Sequence, residues 1–248
     1  MSGRRAAAWV CVALLLAGCS GAGELDRLTR GETGRVTEVR VGDAFVLETG
    51  LLVRLAGVEA PHGSDPGAVE ARDALARLVQ GQAVTLFYGG ARRDRYDRAI
   101  AQVKVQHGGV WAQRALLAAG RVRVHTWPDN VALAHTLLVA EAKARIANTG
   151  LWALPAYRVI LPSEARGAPR FTIVEGRVAK VSADRGPLWL DFAEPGVEVK
   201  VPADARSSFQ LAGTDFQKLS GRIVRVRGWL AGRTLILDHP AALEQISE

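Results

Sequence analysis

Val53-Arg54-Leu55-Ala56-Gly57-Val58-Glu59-Ala60-Pro61-His62 is the stretch that decides the fold. Leu51 to Val58 is rich in the residues that strands prefer, and it follows a Thr49-Gly50 turn. Arg54 interrupts an otherwise apolar strand. Glu59 and His62 follow within one short loop, so acid, base and cation are close in sequence.

On the N-terminal side, Arg35 to Val41 alternates polar and apolar residues, as a half-buried strand does. Ala44 to Leu47 continues the pattern. On the C-terminal side, Ala68 to Val79 has helical spacing, with Ala71, Leu75, Leu78 and Val79 on one face and Gly81 as a stop. Ala83 to Tyr88 and Arg98 to Val105 are the next strands, joined by a charged turn from Gly89 to Asp97. Val110 to Ala119 and Leu133 to Asn148 are expected helices, the second with an apolar stripe of Leu133, Leu137, Ala140, Ala144 and Ala147. Three strands, a helix, two strands and two helices suit a small Greek-key barrel.

Four motifs then coincide in order and spacing. They are Val41-Gly42-Asp43-Ala44, the Val53 to His62 stretch, Asp94-Arg95-Tyr96-Asp97-Arg98-Ala99-Ile100-Ala101, and an ending that runs through Ala140-Glu141, Ala144-Arg145 and Gly150-Leu151-Trp152. Together they resemble the staphylococcal nuclease family. The resemblance implies a mainly β fold with helices, a five-stranded OB-like Greek-key barrel over residues 34–153. Residues 154–170, which hold three prolines, read as a linker. Residues 171–248 read as a second small β-barrel-like domain. Its expected strands are Phe171–Val181, Leu188–Phe192, Val197–Val201, Arg222–Leu230 and Thr234–Asp238, with a helix between Ala203 and Leu219. Trp189, Phe192 and Trp229 are read as its core. It resembles an accessory or docking module, and its residues suggest no chemistry of their own.

What the resemblance implies is metal-dependent hydrolysis of phosphodiester bonds in DNA or RNA. Arg54 and Arg98 would clamp the phosphate, because a planar guanidinium offers paired donors and keeps its charge. Asp43, Glu59 and the Ala60 carbonyl would hold Ca²⁺, a hard cation that takes oxygen ligands. His62 stands where the family has the glutamate that activates water. Several residues depart from the family pattern: His62 for glutamate, Glu59 for aspartate, Val41 and Ala44 in the metal loop, and Asp97 for a turn glycine. Ca²⁺ binding is therefore expected to be weakened.

Each of these residues has a plainer reading. Arg54 is otherwise a structural arginine on a strand face, and Arg98 a partner of Asp94 across a turn. Asp43 is otherwise a turn residue. Glu59 reads equally as base, metal ligand or loop carboxylate, and His62 as an idle loop histidine. Trp127, after His125, is a candidate to stack on a nucleobase or to pack in its loop. Arg95 and Arg123, with Arg92, Arg93 and Arg121, would form a basic rim or a merely solvated face. Two other readings therefore stand beside the nuclease. One is a degenerate domain that binds nucleic acid or another polyanion without cutting it. The other is an envelope interaction module.

The composition is that of a globular chain, 48% hydrophobic and 23% charged. Its net charge of +7 suits a polyanionic partner or an anionic membrane face. Arg4 and Arg5 precede an apolar run from Ala6 to Ala17, which ends in Leu16-Ala17-Gly18-Cys19. That order resembles a bacterial lipoprotein signal over residues 1–18, with Cys19 as the lipidated residue. Residues 19–33 then read as a tether. The expected location is the cell envelope, on the periplasmic face or at the outer membrane. Cys11 would leave with the signal, so no disulfide is expected.

Overall fold

The computed structural model describes residues 22–165, 170–183 and 186–246. The expected signal and Cys19 lie outside the described residues. The first half is a closed barrel of β1 (Thr29–Val41), β2 (Ala44–Leu47), β3 (Leu52–Leu55), β6 (Ala99–Val105) and β5 (Ala83–Tyr88), in that spatial order. Only β3 and β6 pair in parallel within it. Closure depends on β1, which pairs β5 along its first half and β2 along its second. Its register shifts let one strand bend around the corner of a small barrel. Phe45, Leu47, Val53, Leu55, Val84 and Leu86 fill the interior.

Three helices pack on this barrel: α2 (Ala68–Val79), α3 (Ala112–Ala118) and α4 (Ala134–Ile146). On α2 the buried residues are Ala71, Leu75 and Val79, as the helical spacing implies. The expected strand from Leu51 to Val58 is broken at Gly57, which has φ +77°. Beyond that break, β4 (Val58–Glu59) leaves the barrel and pairs with β7 (Arg123–Val124). On α4 the buried set is Ala134, Leu137, Ala140, Glu141 and Ala144; Ala147 is exposed.

Residues 22–33 do not form a free tether. Ala22–Leu25 is a short helix, α1, and Leu25 is fully buried in the barrel core. Residues 154–165 are also packed rather than loose. Tyr157 is buried and its hydroxyl donates to the Pro66 carbonyl at 2.7 Å. Ile160 forms a bridge to Val174.

The second half contains β8 (Arg170–Ala183), β9 (Leu188–Phe192), β10 (Glu198–Val201), α5 (Arg206–Leu211), β11 (Ile223–Ala231), β12 (Thr234–Ile236) and β13 (Leu243–Ile246). Strand β12 pairs with both β10 and β11, so the sheet closes as β8-β9-β10-β12-β11 with β13 flanking β11. The connectivity repeats that of the first barrel: a parallel contact between the third and fifth strands, and a helix before the fourth. Phe192 is buried, whereas Trp229 is 46% exposed, which removes it from the expected core.

The two barrels meet through Ala144, Trp152, Phe171 and Ile173. A buried charge cluster reinforces this contact. Glu141 of α4 accepts from the Val124 amide at 2.5 Å and from Arg227 of β11 at 2.8 Å. Arg227 also bonds the Val124 carbonyl and Glu244 of β13. Glu141 and Arg227 are almost wholly buried, so each depends on the other for charge balance.

Arg227→Leu should therefore destabilise the protein by about 3–5 kcal/mol, because it strands Glu141 in the interior. Urea unfolding of both proteins measures this, and an unchanged midpoint would refute the clasp. Burial alone would raise the Glu244 carboxyl, but the Arg227 charge and hydrogen bond hold it below the usual range. A depressed carboxylate stabilises fully above its unfolded value of 4.5 and loses that contribution as pH falls through its lower folded value. Glu244→Gln should flatten the acid limb of the stability profile over that window.

Candidate active site

Arg54 owes its position to the period of two in β3. Val53 and Leu55 point into the barrel, so Arg54 points out of it. Its register partner on β2 is Ala44, which places Asp43 beside it. The turn that carries Asp43 lies tightly against α2. A Cβ on Gly42 would approach Ala71 Cβ to 2.7 Å and Ala60 Cβ to 2.8 Å. Only glycine permits that closeness, and it lets Asp43 Oδ2 accept the Ala60 amide at 3.2 Å.

Glu59 reaches the same place from the other side. The Gly57 break turns the chain, and the β4–β7 pair fixes Glu59 opposite Arg123. Two residues further on, His125 is held by its amide to the Gly57 carbonyl at 3.1 Å. Glu59 Oε2 then lies 2.6 Å from Arg54 Nη2 and 3.1 Å from His125 Nδ1. Glu59 Oε1 is 3.3 Å from His62 Nε2. His62 also lies 3.6 Å from Asp43, and Arg54 lies 3.7 Å from it. The His62 loop is pinned by its amide to Asp65 Oδ2 at 3.2 Å.

The two carboxylates are pushed in opposite directions. Burial would raise Glu59, but hydrogen bonds from His125 and His62 and the Arg54 charge hold it far below the usual carboxylate range. Burial pushes Asp43 up, and Arg54 and His62 offset only part of that. The bond to Glu59 raises His62, against some desolvation. Glu59 thus takes most of the available positive charge and Asp43 is left short of it.

One donor atom each from Asp43, Glu59 and His62 lies within 4.8 Å of the others, so these residues can hold one divalent cation. The set offers oxygen from two carboxylates and nitrogen from an imidazole. Calcium prefers six to eight oxygens, whereas a mixed set suits Mn²⁺ or Zn²⁺ better. Ala60, whose carbonyl was the third expected ligand, is tied to this cluster by its N–H, which donates to Asp43 Oδ2 at 3.2 Å.

Next to this cluster, and lined by its partners Arg54 and His125, lies a groove of about 560 Å³. Arg54, Arg93, Arg95, Arg98, His125 and Trp127 line it. Arg98 pairs with Asp94 through Nη2 at 2.6 Å and Nε at 2.7 Å. Asp94 also accepts the Tyr96 and Arg98 amides, which shapes the turn. Asp97 takes the left-handed conformation there, at φ 60°. Arg95 lies over the exposed Tyr96 ring at 4.8 Å. Trp127 is 41% exposed at the groove mouth.

Arg123 is used elsewhere. Its guanidinium lies 4.8 Å from the ring centres of both Tyr157 and Phe171 and donates to the Phe171 carbonyl. It joins the barrels and lies apart from the groove-lining residues. The sequence marks His125 only as part of an aromatic stretch with Trp127, two positions on, and not as a partner of Glu59. Its link to Glu59, 66 positions away, depends on the β4–β7 pair.

A family model described as "Staphylococcal nuclease homologue" matches residues 52–154. The match takes in Arg54, Glu59, Ala60, His62, Arg98 and His125, and starts after Asp43. The chain is 33% identical over 137 residues to a "Probable endonuclease lcl3" from Pyrenophora tritici-repentis, covering 48% of this chain and 49% of that one. It is 31% identical over 133 residues to the protein of that name from Phaeosphaeria nodorum, covering 48% and 43%. It is 31% identical over 101 residues to a "Probable staphylococcal-like nuclease CAN1" from Oryza sativa subsp. japonica, covering 41% and 28%. The aligned part thus spans less than half the length of each relative. The Arg54–Glu59 site therefore lies within a region that is similar to staphylococcal nuclease homologues.

Proposed function

We propose that this groove binds a nucleic-acid strand, DNA or RNA, and hydrolyses its phosphodiester bonds with the help of a divalent cation. The observation that carries the reading is the placement of Arg54. It lies 2.6 Å from Glu59, beside the Asp43–Glu59–His62 cluster, on the floor of a basic groove. The nuclease names of the relatives support it.

Asp43, Glu59 and His62 would hold the cation, which would supply Lewis-acid stabilisation of the charge that grows on the phosphate. Arg54 keeps N–H donors free of Glu59 for the phosphate oxygens, where negative charge grows in the transition state. Arg98, oriented by Asp94, supplies a second guanidinium to the same phosphate. His62 has two tasks open to it, metal donor or proton acceptor for water, and its Nε2 cannot do both at once. His125 fixes the Glu59 carboxylate from behind. Calcium is the cation the family resemblance implies, and the imidazole moves the preference towards Mn²⁺ or Zn²⁺.

A second reading has its own observation. Glu59 already has three partners and Arg98 is paired with Asp94. A site so balanced suits binding without cutting. On that reading, oligonucleotide binding is steeply salt-dependent and no metal brings cleavage.

The deciding experiment is cleavage of single-stranded DNA, duplex DNA and RNA with Ca²⁺, Mn²⁺, Zn²⁺ or EDTA. Arg54→Ala should lower the rate by about 10²–10³-fold, and Arg54→Lys, which keeps a charge beside Glu59 but loses the planar fork, should lose rate with a melting curve close to wild type. His62→Glu should shift the preferred metal towards Ca²⁺. Silence of the wild type with every metal would leave the binding reading in its place.

We also propose that Cys19 carries a lipid that holds the protein at the cell envelope. The charged, apolar and small-residue order before it supports this. No helix among the described residues is long and apolar enough to cross a membrane. Metabolic labelling with an alkyne fatty acid should mark the wild type and leave Cys19→Ala unlabelled. Equal labelling of both would reject the anchor.

A further inference from the structure

A second cavity, of about 230 Å³, opens where the barrels meet. His125 and Trp127 line it from the first barrel, and Trp229, Ile236, Asp238 and His239 from the second. His125 and Trp127 also line the groove above Arg54, so the two spaces share a wall. Three large apolar side chains around this cavity stay accessible: Trp127 at 41%, Trp229 at 46% and Ile236 at 49%. Such a gathering at the edge of a basic groove is unlike the scattered apolar residues of an ordinary surface.

The rings form a connected series. His125 lies 4.4 Å from Trp127 and 4.6 Å from Phe171, and Phe171 lies 6.5 Å from Trp229, centre to centre. The floor is polar and fixed. Thr126 Oγ1 and His239 Nε2 are 2.6 Å apart, and His239 Nδ1 is 2.6 Å from Asp238 Oδ1. That chain joins a loop of one barrel to a loop of the other, so the cavity is formed before any ligand arrives.

We infer that this cavity is a subsite for an unpaired nucleobase, and that the second barrel supplies half of it through Trp229. The inference rests on the nucleic-acid reading of the neighbouring groove. A strand whose phosphates follow Arg54, Arg95 and Arg98 passes Trp127 and brings a base to the cavity. Aromatic walls suit the flat face of a base, whichever base it is. A base stacked and paired inside a duplex cannot enter. The second barrel therefore extends the substrate groove and favours single strands over duplexes.

The test uses the full-length protein, a fluorescent single-stranded 12-mer, the same 12-mer as a duplex, and the small chromogenic diester bis(p-nitrophenyl) phosphate. Trp229→Ala should weaken binding of the single strand about 5–100-fold, and Trp229→Phe should restore most of it. The wild-type preference for single strand over duplex should shrink by the same factor in Trp229→Ala. An abasic position scanned along the 12-mer should weaken wild-type binding at one register and have little effect there in Trp229→Ala. Turnover of the small diester should not change in either variant.

Single-strand binding equal to wild type in Trp229→Ala would overturn the subsite and leave the nuclease reading standing. Equal losses in Trp229→Phe, or on the small diester, would make Trp229 a structural residue and also overturn it. Binding is read in EDTA, so a wild type that binds but never cuts would reject the nuclease while the subsite is still measured. A wild type that binds no strand would reject both.

Discussion

Glu59 is an ionised carboxylate that the fold has taken almost entirely out of water. Such a group is tolerable only with compensating charge or donors around it. Arg54 from β3, His62 from the following loop and His125 from beyond β7 provide them. Each comes from a separate part of the barrel, so satisfying Glu59 draws these parts to one point. The outcome is a cation, an acid pair and an imidazole gathered beside a groove that Arg54 and His125 line. Asp43 lies farther from the same groups, 3.7 Å from Arg54 and 3.6 Å from His62.

The same constraint explains why the second barrel matters to the first. Strand β7 has only two residues and its pairing with β4 alone is slight. Its Val124 is held at both backbone groups, by Glu141 on the amide and by Arg227 on the carbonyl. His125 is the next residue, so the interdomain clasp fixes the histidine that orients Glu59. Arg123, on the other side of Val124, packs between Tyr157 and Phe171. Two neighbours of His125 are thus tied to the second barrel, and the site is coupled to that interface through a few residues.

Much of the first barrel was legible because its strands and α2 follow simple periods. Ala68–Val79 has the expected bounds, and Arg54 is held where the alternation puts it. Motif spacing also pointed to Asp43, Glu59 and His62, whose donor atoms lie within 4.8 Å of one another. The misreadings have a common physical origin. Glu141 was missing from the expected stripe of α4, since a buried charge is recognisable only when its partner, 86 positions away, is known. Arg123 reads as a rim cation until Tyr157 and Phe171 are seen to enclose it. Residues 22–33 look like a tether because they are short and polar, yet Leu25 is fully buried and β1 begins at Thr29. Trp229 reads as core by its type, and its exposure depends on how two barrels meet. Strand β13 was not expected because Leu243-Glu244-Gln245-Ile246 does not alternate polar and apolar residues.

Arg54 is the residue on which the functional account turns, and chemical rescue tests its role most directly. Cleavage of a single-stranded oligonucleotide by Arg54→Ala protein would be followed as guanidinium is added, with ammonium at equal ionic strength as the control. If Arg54 presents a planar cation to the phosphate, guanidinium restores part of the lost rate in a saturable manner and ammonium does not. An Arg54→Ala protein that cuts as fast as the wild type without any added cation would contradict the account.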